Sequence, residues 1–247
     1  VTRWGVREGD CVDAVTGMPS LPDRSVDHVI TDPPFEGEAH GMQRRRLYDD
    51  AGQVTVVESP LEFEPMTESL RLDCATQFAR LARRWVLVFC QVEAVHLWRA
   101  CLMGAGLDYV RTMVWIKPDA QPQYSGDRPG VGYESIVVAH QPGRKEWSGG
   151  GRVGVFSHTR HREPDAERSP HPTMKPLPLM TELVRLFTDE NDLILDPFCG
   201  SGTTGVACKA LGRSFLGWEM SPEYAALARR RINGDEVILR DYQPSLF

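Results

Sequence analysis

Asp32, Pro33, Pro34 and Phe35 form the stretch of this 247-residue chain with the clearest chemical content. They follow an apolar run at 26–30, Val-Asp-His-Val-Ile, that reads as a buried strand. Two consecutive prolines have no N–H to give a sheet ladder, so pairing must stop there and the chain must leave in a rigid, extended turn. A carboxylate is thereby fixed at the carboxyl end of a strand, where open α/β sheets hold their ligands. One acid, two carbonyls with no neighbouring N–H to serve, and one aromatic ring share that rim.

A second cluster is the glycine-rich run Asp196-Pro197-Phe198-Cys199-Gly200-Ser201-Gly202-Thr203-Thr204-Gly205, placed between an apolar strand at 193–195 and a helix expected over 203–211. It contains Gly-x-Gly-x-x-Gly, and Glu219 closes the next strand, about where a ribose-binding acid belongs. The order strand, loop, helix, strand, acid points to a cofactor that contains a nucleoside. A dinucleotide needs a second mononucleotide-binding half, and only 28 residues follow Glu219. Asp196 at the loop entrance would repel a pyrophosphate but suits a cation, and S-adenosylmethionine offers a ribose, an ammonium and a sulfonium to these acids.

Taken together, these motifs resemble those of the S-adenosylmethionine-dependent DNA amino-methyltransferases. Asp196-Pro-Phe-Cys-Gly-Ser-Gly-Thr-Thr resembles their cofactor loop, Asp32-Pro-Pro-Phe their catalytic tetrad, and His171-Pro-Thr-Met-Lys-Pro the segment that precedes the loop. The tetrad comes first and the loop last, the order of the β group, and the resemblance covers nearly the whole chain. It implies that Asp196, Phe198, Gly200 and Gly202 surround the methionine of the cofactor, with Pro197, Cys199, Ser201 and Thr204 of the same loop also cofactor-binding. It further implies that Thr203 and Lys175 hold its carboxylate, Glu219 its ribose and Asp10 its adenine amino group, with Thr173 and Cys11 also cofactor-binding. Cys199 departs from the pattern, which commonly has alanine there; both residues are small, and Cys199 and Cys208 read as buried packing thiols.

The chemistry implied at Asp32 is the activation of a weak nucleophile. An exocyclic amine of adenine or cytosine has its lone pair delocalised into the ring. Acceptance of its two N–H groups by Asp32 and the Pro33 carbonyl would let the nitrogen pyramidalise toward the sulfonium methyl, an interaction that strengthens in the transition state. The base must first be flipped from a duplex, with Phe35 stacking on it. Aspartate at the head of the tetrad resembles the adenine-N6 enzymes more often, serine the cytosine-N4 enzymes. Site-specific methylation of adenine N6 in DNA is the expectation, with cytosine N4 as the alternative. A dinucleotide-dependent oxidoreductase using the same glycine loop is a more distant rival. Carbon-5 methylation of cytosine would need a Pro-Cys nucleophile, and no Pro-Cys dipeptide occurs.

The elements that must position these groups can be read from periodicity. Strands are expected at 4–9, 26–30, 85–90, 109–116, 133–139, 193–195 and 215–218. Helices are expected from Pro65 through Leu81, around 92–101, after Pro176 with Leu179, Leu183 and Leu186 inward, and at 223–232 behind a Ser221-Pro222 start. Alternating strands and helices define an α/β fold: a doubly wound, mostly parallel Rossmann-like sheet with helices on both faces, in a single domain over 1–247. Two long segments, 36–59 and 141–170, read as irregular. Segments of that length inside a compact domain are usually functional, and here they are expected to contact DNA through His40, Arg44, Arg45 and Arg46, and through Arg152, Arg160 and Arg162. Arg229, Arg230 and Arg231 read as solvated.

Composition sets the outer bounds. With 41% hydrophobic residues the chain can bury a sizeable core, and its net charge of −6 confines any phosphate-binding surface to local basic clusters. The six cysteines show neither Cys-x-x-Cys pairs nor adjacent histidines, so no structural metal is expected. No apolar run approaches the roughly 18 residues of a membrane span and the N-terminus has no signal pattern, so the expected address is cytoplasmic. A short recognition site read by a homodimer is expected, because one small subunit embraces little DNA.

Overall fold

The computed structural model describes residues 3–37, 44–48, 54–58, 64–123, 126–160 and 174–234. Ten strands and five α-helices run through them. The strands are β1 (Trp4–Glu8), β2 (His28–Thr31), β3 (Arg44–Tyr48), β4 (Val54–Glu58), β5 (Trp85–Cys90), β6 (Asp108–Ile116), β7 (Tyr133–His140), β8 (Val155–Ser157), β9 (Leu193–Asp196) and β10 (Ser214–Glu219). The helices, in chain order, are α1 (Glu68–Leu81), α2 (Val95–Gly104), α3 (Leu177–Phe187), α4 (Thr203–Ala210) and α5 (Pro222–Asn233).

Eight strands form one sheet in the order β1-β10-β9-β2-β5-β7-β6-β8. All neighbours are parallel except β7, which is antiparallel to both β5 and β6. The centre is continuous apolar sequence because both sheet faces are covered. Every residue of β2 and β5 is buried. Alternation along β5 sends Trp85, Leu87 and Phe89 to a core with α3 and α4, and Val86, Val88 and Cys90 to a core with α1 and α2.

From β9 the chain crosses through α4 to β10 on one side, and from β2 through α1 to β5 on the other. β2 and β9 are themselves neighbours. The strand order thus reverses between them, and the crevice outside their carboxyl ends is the place such a sheet reserves for ligands. Asp32 and Asp196 stand on its two sides.

The doubly wound α/β reading of the sequence is the observed fold, with three local differences. Segment 36–59, read as irregular, contains the antiparallel pair β3 and β4, in which Arg44 faces Glu58 and Arg46 faces Val56. Segment 141–170 contains the three-residue strand β8, which adds to the edge beside β6. Helix α1 begins at Glu68 rather than Pro65, because the Thr67 side chain accepts the Leu70 N–H at 3.2 Å and caps it. Among the described residues, no helix is long and apolar enough to cross a membrane.

Candidate active site

Four acids occupy the carboxyl ends of four successive strands. Asp10 follows β1, Glu219 ends β10, Asp196 ends β9 and Asp32 follows β2. The register sets Glu8 beside Glu219, and Gly9 N–H donates to the Glu219 carbonyl at 3.0 Å, which places Asp10 directly past the β10 terminus. Its carboxylate is exposed and accepts the Val12 N–H at 3.0 Å, while Cys11 is buried behind it.

The glycine loop is held from three directions. Cys199 N–H donates to the Trp218 carbonyl at 2.9 Å and Gly200 N–H to Glu219 Oε2 at 3.0 Å, tying the loop to β10. Gly202 turns the chain into α4 with a left-handed φ of 81°, and a Cβ there would stand 2.8 Å from Ala228 Cβ. From α5, Arg231 donates to the Ser201 carbonyl at 2.6 Å and to Ser201 Oγ at 3.0 Å. Arg229 reaches the Val6 carbonyl. Arg231, read from sequence as solvated, is half-buried and braces the loop, whereas Arg229 and Arg230 are exposed as read, with Arg229 bonding β1 from the surface. Pro197 and Phe198 open the loop, and the Cys199 and Cys208 thiols are buried, with burial pushing both thiol pKa values up.

Asp196 lies beneath this loop at 2% exposure. Its Oδ1 accepts from Thr31 Oγ1 at 2.8 Å and from Phe198 N–H at 3.2 Å, and its Oδ2 accepts from Thr204 Oγ1 at 2.6 Å. Burial pushes its carboxyl up to about 6 despite these donors. Glu219 is also raised by burial, against the pull of the Ser221 and Gly200 N–H groups.

Asp32 sits at the head of a buried chain of charges. Its Oδ2 accepts from Lys175 Nζ. Lys175 Nζ also lies 3.2 Å from Glu134 Oε2, and Glu134 Oε1 accepts from Lys117 Nζ at 2.5 Å. Burial raises the Asp32 carboxyl, and Lys175 opposes that rise. Burial acts the same way on Glu134, but Lys175 and Lys117 bring it below the ordinary carboxylate range. Lys175, desolvated yet flanked by both acids, ends above the ordinary lysine range. The Lys175 ammonium stands 5.6 Å from the Phe35 ring centre and 5.2 Å from that of Phe89. Asp32 Oδ1 is buried and has no hydrogen-bond partner among the described residues. Pro33 is buried, whereas Pro34 and Phe35 are half-buried at the mouth, with the Phe35 carbonyl fixed by Met66 N–H at 3.1 Å.

The structure thus brings Asp10, Cys11, Asp32 to Phe35, Lys175, the 196–204 loop and Glu219 to one rim. Lys175, expected at the carboxylate end of the cofactor, has its ammonium on Asp32 and Glu134. Arg152 pairs with Glu182 of α3 at 2.6 Å, an acid shared with His158 at the same distance. Arg160 donates to the Asp119 carbonyl at 2.5 Å and lies past β8, back at the carboxyl rim. His40, Arg162 and Thr173 lie outside the described residues, and Arg44, Arg45 and Arg46 are described only as strand positions. Sequence reasoning gave Thr31, which heads the tetrad stretch, no role of its own, and missed Lys117 and Glu134. Lys117 directly follows β6, and Glu134 sits opposite Trp115 near the start of β7, so charged residues at two facing strand ends were the available signal.

A reversing sheet with acids along its carboxyl rim and a glycine loop braced between two of them defines a Rossmann-like protein built for a nucleoside-containing cofactor. The DNA methylase family model N6_N4_Mtase matches residues 26–230, and the chain belongs to that family of DNA methyltransferase enzymes. Among curated relatives, Type II methyltransferase M.HinfI of Haemophilus influenzae is 22% identical over 92% of this chain and 67% of its own length. Type II methyltransferase M2.LlaDCHI of Lactococcus lactis subsp. cremoris is 26% identical over 90% of this chain and 87% of its own. The crystal structure of the M1.HpyAVI–SAM complex superposes with a TM-score of 0.69 at 25% identity, covering 93% of this chain and 99% of that one. The PvuII DNA methyltransferase (cytosine-N4-specific) shares the fold with a TM-score of 0.71 at 17% identity, over 96% and 89% of the two chains.

Proposed function

We propose that this methyltransferase transfers the methyl group of S-adenosylmethionine to N6 of adenine at a specific DNA site. The observation that carries this reading is Asp32 Oδ1, a buried carboxylate oxygen with no hydrogen-bond partner among the described residues. A buried acceptor left empty is costly, and an amine N–H would satisfy it.

The residues present suit the cofactor. Glu219 uses one lone pair of each oxygen on a backbone N–H and keeps others for ribose hydroxyls, while Asp196 and Asp32 give the crevice the negative charge that a sulfonium and an ammonium need. When bound, the cofactor supplies an electrophilic methyl group. The chain then has to hold the base. Asp32 Oδ1 and the Pro33 carbonyl accept the two amine hydrogens, which localises the nitrogen lone pair. As the nitrogen–methyl bond forms and the methyl–sulfur bond breaks, positive charge grows on nitrogen beside Asp32, so the interaction is strongest in the transition state. Oδ1 is also placed to take the surplus proton. Phe35, at the mouth, supports the flipped base by stacking, which offsets part of the few kcal/mol that unstacking costs.

Aspartate rather than serine at the head of the tetrad favours adenine over cytosine. Digestion of modified DNA followed by mass spectrometry should yield N6-methyldeoxyadenosine. N4-methyldeoxycytidine alone would move the assignment to cytosine, and binding of NAD but not S-adenosylhomocysteine would overturn it altogether. Base flipping should brighten a 2-aminopurine placed at the target. Recognition of a short site by a homodimer should appear as a doubled mass in sedimentation on DNA.

A further inference from the structure

We infer that Glu134 and Lys117 are positioning residues for methyl transfer: through Lys175 they hold Oδ2 of Asp32, leaving Oδ1 alone to face the substrate amine. The inference rests on the proposed role of Asp32 as the amine acceptor.

The argument begins with charge. Lys175 and Glu134 side chains are 9% and 11% exposed, and each would be costly to bury alone. Lys117, Glu134, Lys175 and Asp32 alternate in sign along the row, so the group is neutral as a whole. A pair of Lys175 with Asp32 would have sufficed for neutrality at the tetrad. Such a pair would commit the full ammonium charge to Asp32 and weaken it as an acceptor. Glu134 Oε2, 3.2 Å from Nζ, shares that charge, and Lys117 holds Glu134 in place through Oε1. Phe35 and Phe89 stand about the same ammonium and keep it from swinging toward solvent. The carboxylate is therefore oriented by one oxygen and active through the other.

The fold explains where Glu134 comes from. A parallel strand brings only its end to this rim, but β7 is reversed and brings its beginning. Other charged or titratable groups near Asp32 come from separate elements. Cys90 ends β5, the Glu36–Arg71 pair joins the tetrad to α1, and Asp196 ends β9 with Thr31 between the two acids.

A purely structural clamp and a positioning device differ in their pH profiles. Single-turnover rates with saturating cofactor and DNA should rise with pH as Asp32 ionises. Lys175→Met removes the cation that opposes the effect of burial, so its acid limb should move to higher pH. Glu134→Gln removes a like charge and leaves Lys175 entirely to Asp32, so its acid limb should move to lower pH, with a plateau rate reduced about tenfold or more. Lys117→Met, at the outer end, should move the profile in the same sense as Lys175→Met but less. S-adenosylhomocysteine affinity should stay within about twofold of the parent in Glu134→Gln and Lys117→Met, which also certifies folding. Acid limbs that coincide with the parent in folded Glu134→Gln and Lys117→Met would overturn the inference. Asp32→Asn separates the two levels of argument. If it turns over normally, the proposed role of Asp32 fails. If it is inactive while Glu134→Gln matches the parent, only the positioning inference fails.

Discussion

Thr31 donates its hydroxyl to Asp196 across the boundary between β2 and β9, at 2.8 Å. The residue immediately before the tetrad is thus bonded to the residue that opens the cofactor loop. Both partners are buried, and the bond crosses the point where the strand order reverses. Displacement of either rim segment is felt by the other.

Thr31→Val keeps the shape of the side chain and removes the donor. One of three hydrogen bonds to a buried carboxylate disappears, at a cost of about 1–3 kcal/mol in urea denaturation. Because the bond that joins the loop to the tetrad is gone, S-adenosylhomocysteine affinity and the methyl-transfer rate should both fall. A variant as stable as the parent would show that water replaces the hydroxyl.

Asp196 gives the stability a pH dependence of unusual sign. Its folded pKa, about 6, lies above the ordinary carboxylate value. The folded chain therefore binds a proton that the unfolded chain has released, and the stabilisation this brings is present at low pH and lost as pH rises through the folded pKa. Asp196→Asn removes the effect. The unfolding free energy of the variant relative to the parent should rise by about 2–3 kcal/mol between roughly pH 4 and pH 7.5, measured by urea titration. A constant difference across that range would mean that Asp196 titrates normally.

Two glycines of the loop region should not tolerate a methyl group. Gly202 combines a left-handed φ with a would-be Cβ 2.8 Å from Ala228, and at Gly205 the same atom would stand 2.4 Å from Ile232 Cδ1. Alanine at either site should lower the denaturation midpoint, by about 1–3 kcal/mol in free energy. Gly104, at the end of α2 with nothing within 4 Å of its Cβ position, is the control; Gly104→Ala should be neutral or slightly stabilising.

The arginines of β3 should report on DNA through salt. If Arg44, Arg45 and Arg46 meet phosphates, replacing all three by alanine should reduce the slope of log affinity against log salt by about 0.9 for each phosphate no longer neutralised, while S-adenosylhomocysteine binding stays unchanged. An unchanged slope would assign phosphate binding elsewhere on the chain.

The central sheet was legible in the sequence because buried parallel strands are written as unbroken apolar runs, as in Trp85–Cys90. The rim was legible because proline and glycine can do little else at Pro33, Pro34, Gly200 and Gly202. Other features were hidden for physical reasons. β8 has three residues and takes its stability from β6, so no local period announces it. The pairing of β3 with β4 was hidden only in part: the arginines of β3 read as loop charge, whereas the β-branched run Val-Thr-Val-Val of β4 was an available strand signal that the reading passed over. Glu134 and Lys175 were invisible as a pair because separate segments bring them together, and only the reversal of β7 makes them neighbours. Lys175 itself was found through its motif, but its partner was not.

The reversed strand has an evolutionary consequence. The connection from 117 to 132 leaves the rim and returns to it, closed at its base by Lys117 N–H donating to the Gly132 carbonyl at 2.8 Å and by the Lys117–Glu134 ion pair. A loop clamped at its stem can change in length or sequence while its ends stay fixed, since loop closure entropy varies slowly with length. The connection can then vary without disturbing the Lys117–Glu134 end of the charge row.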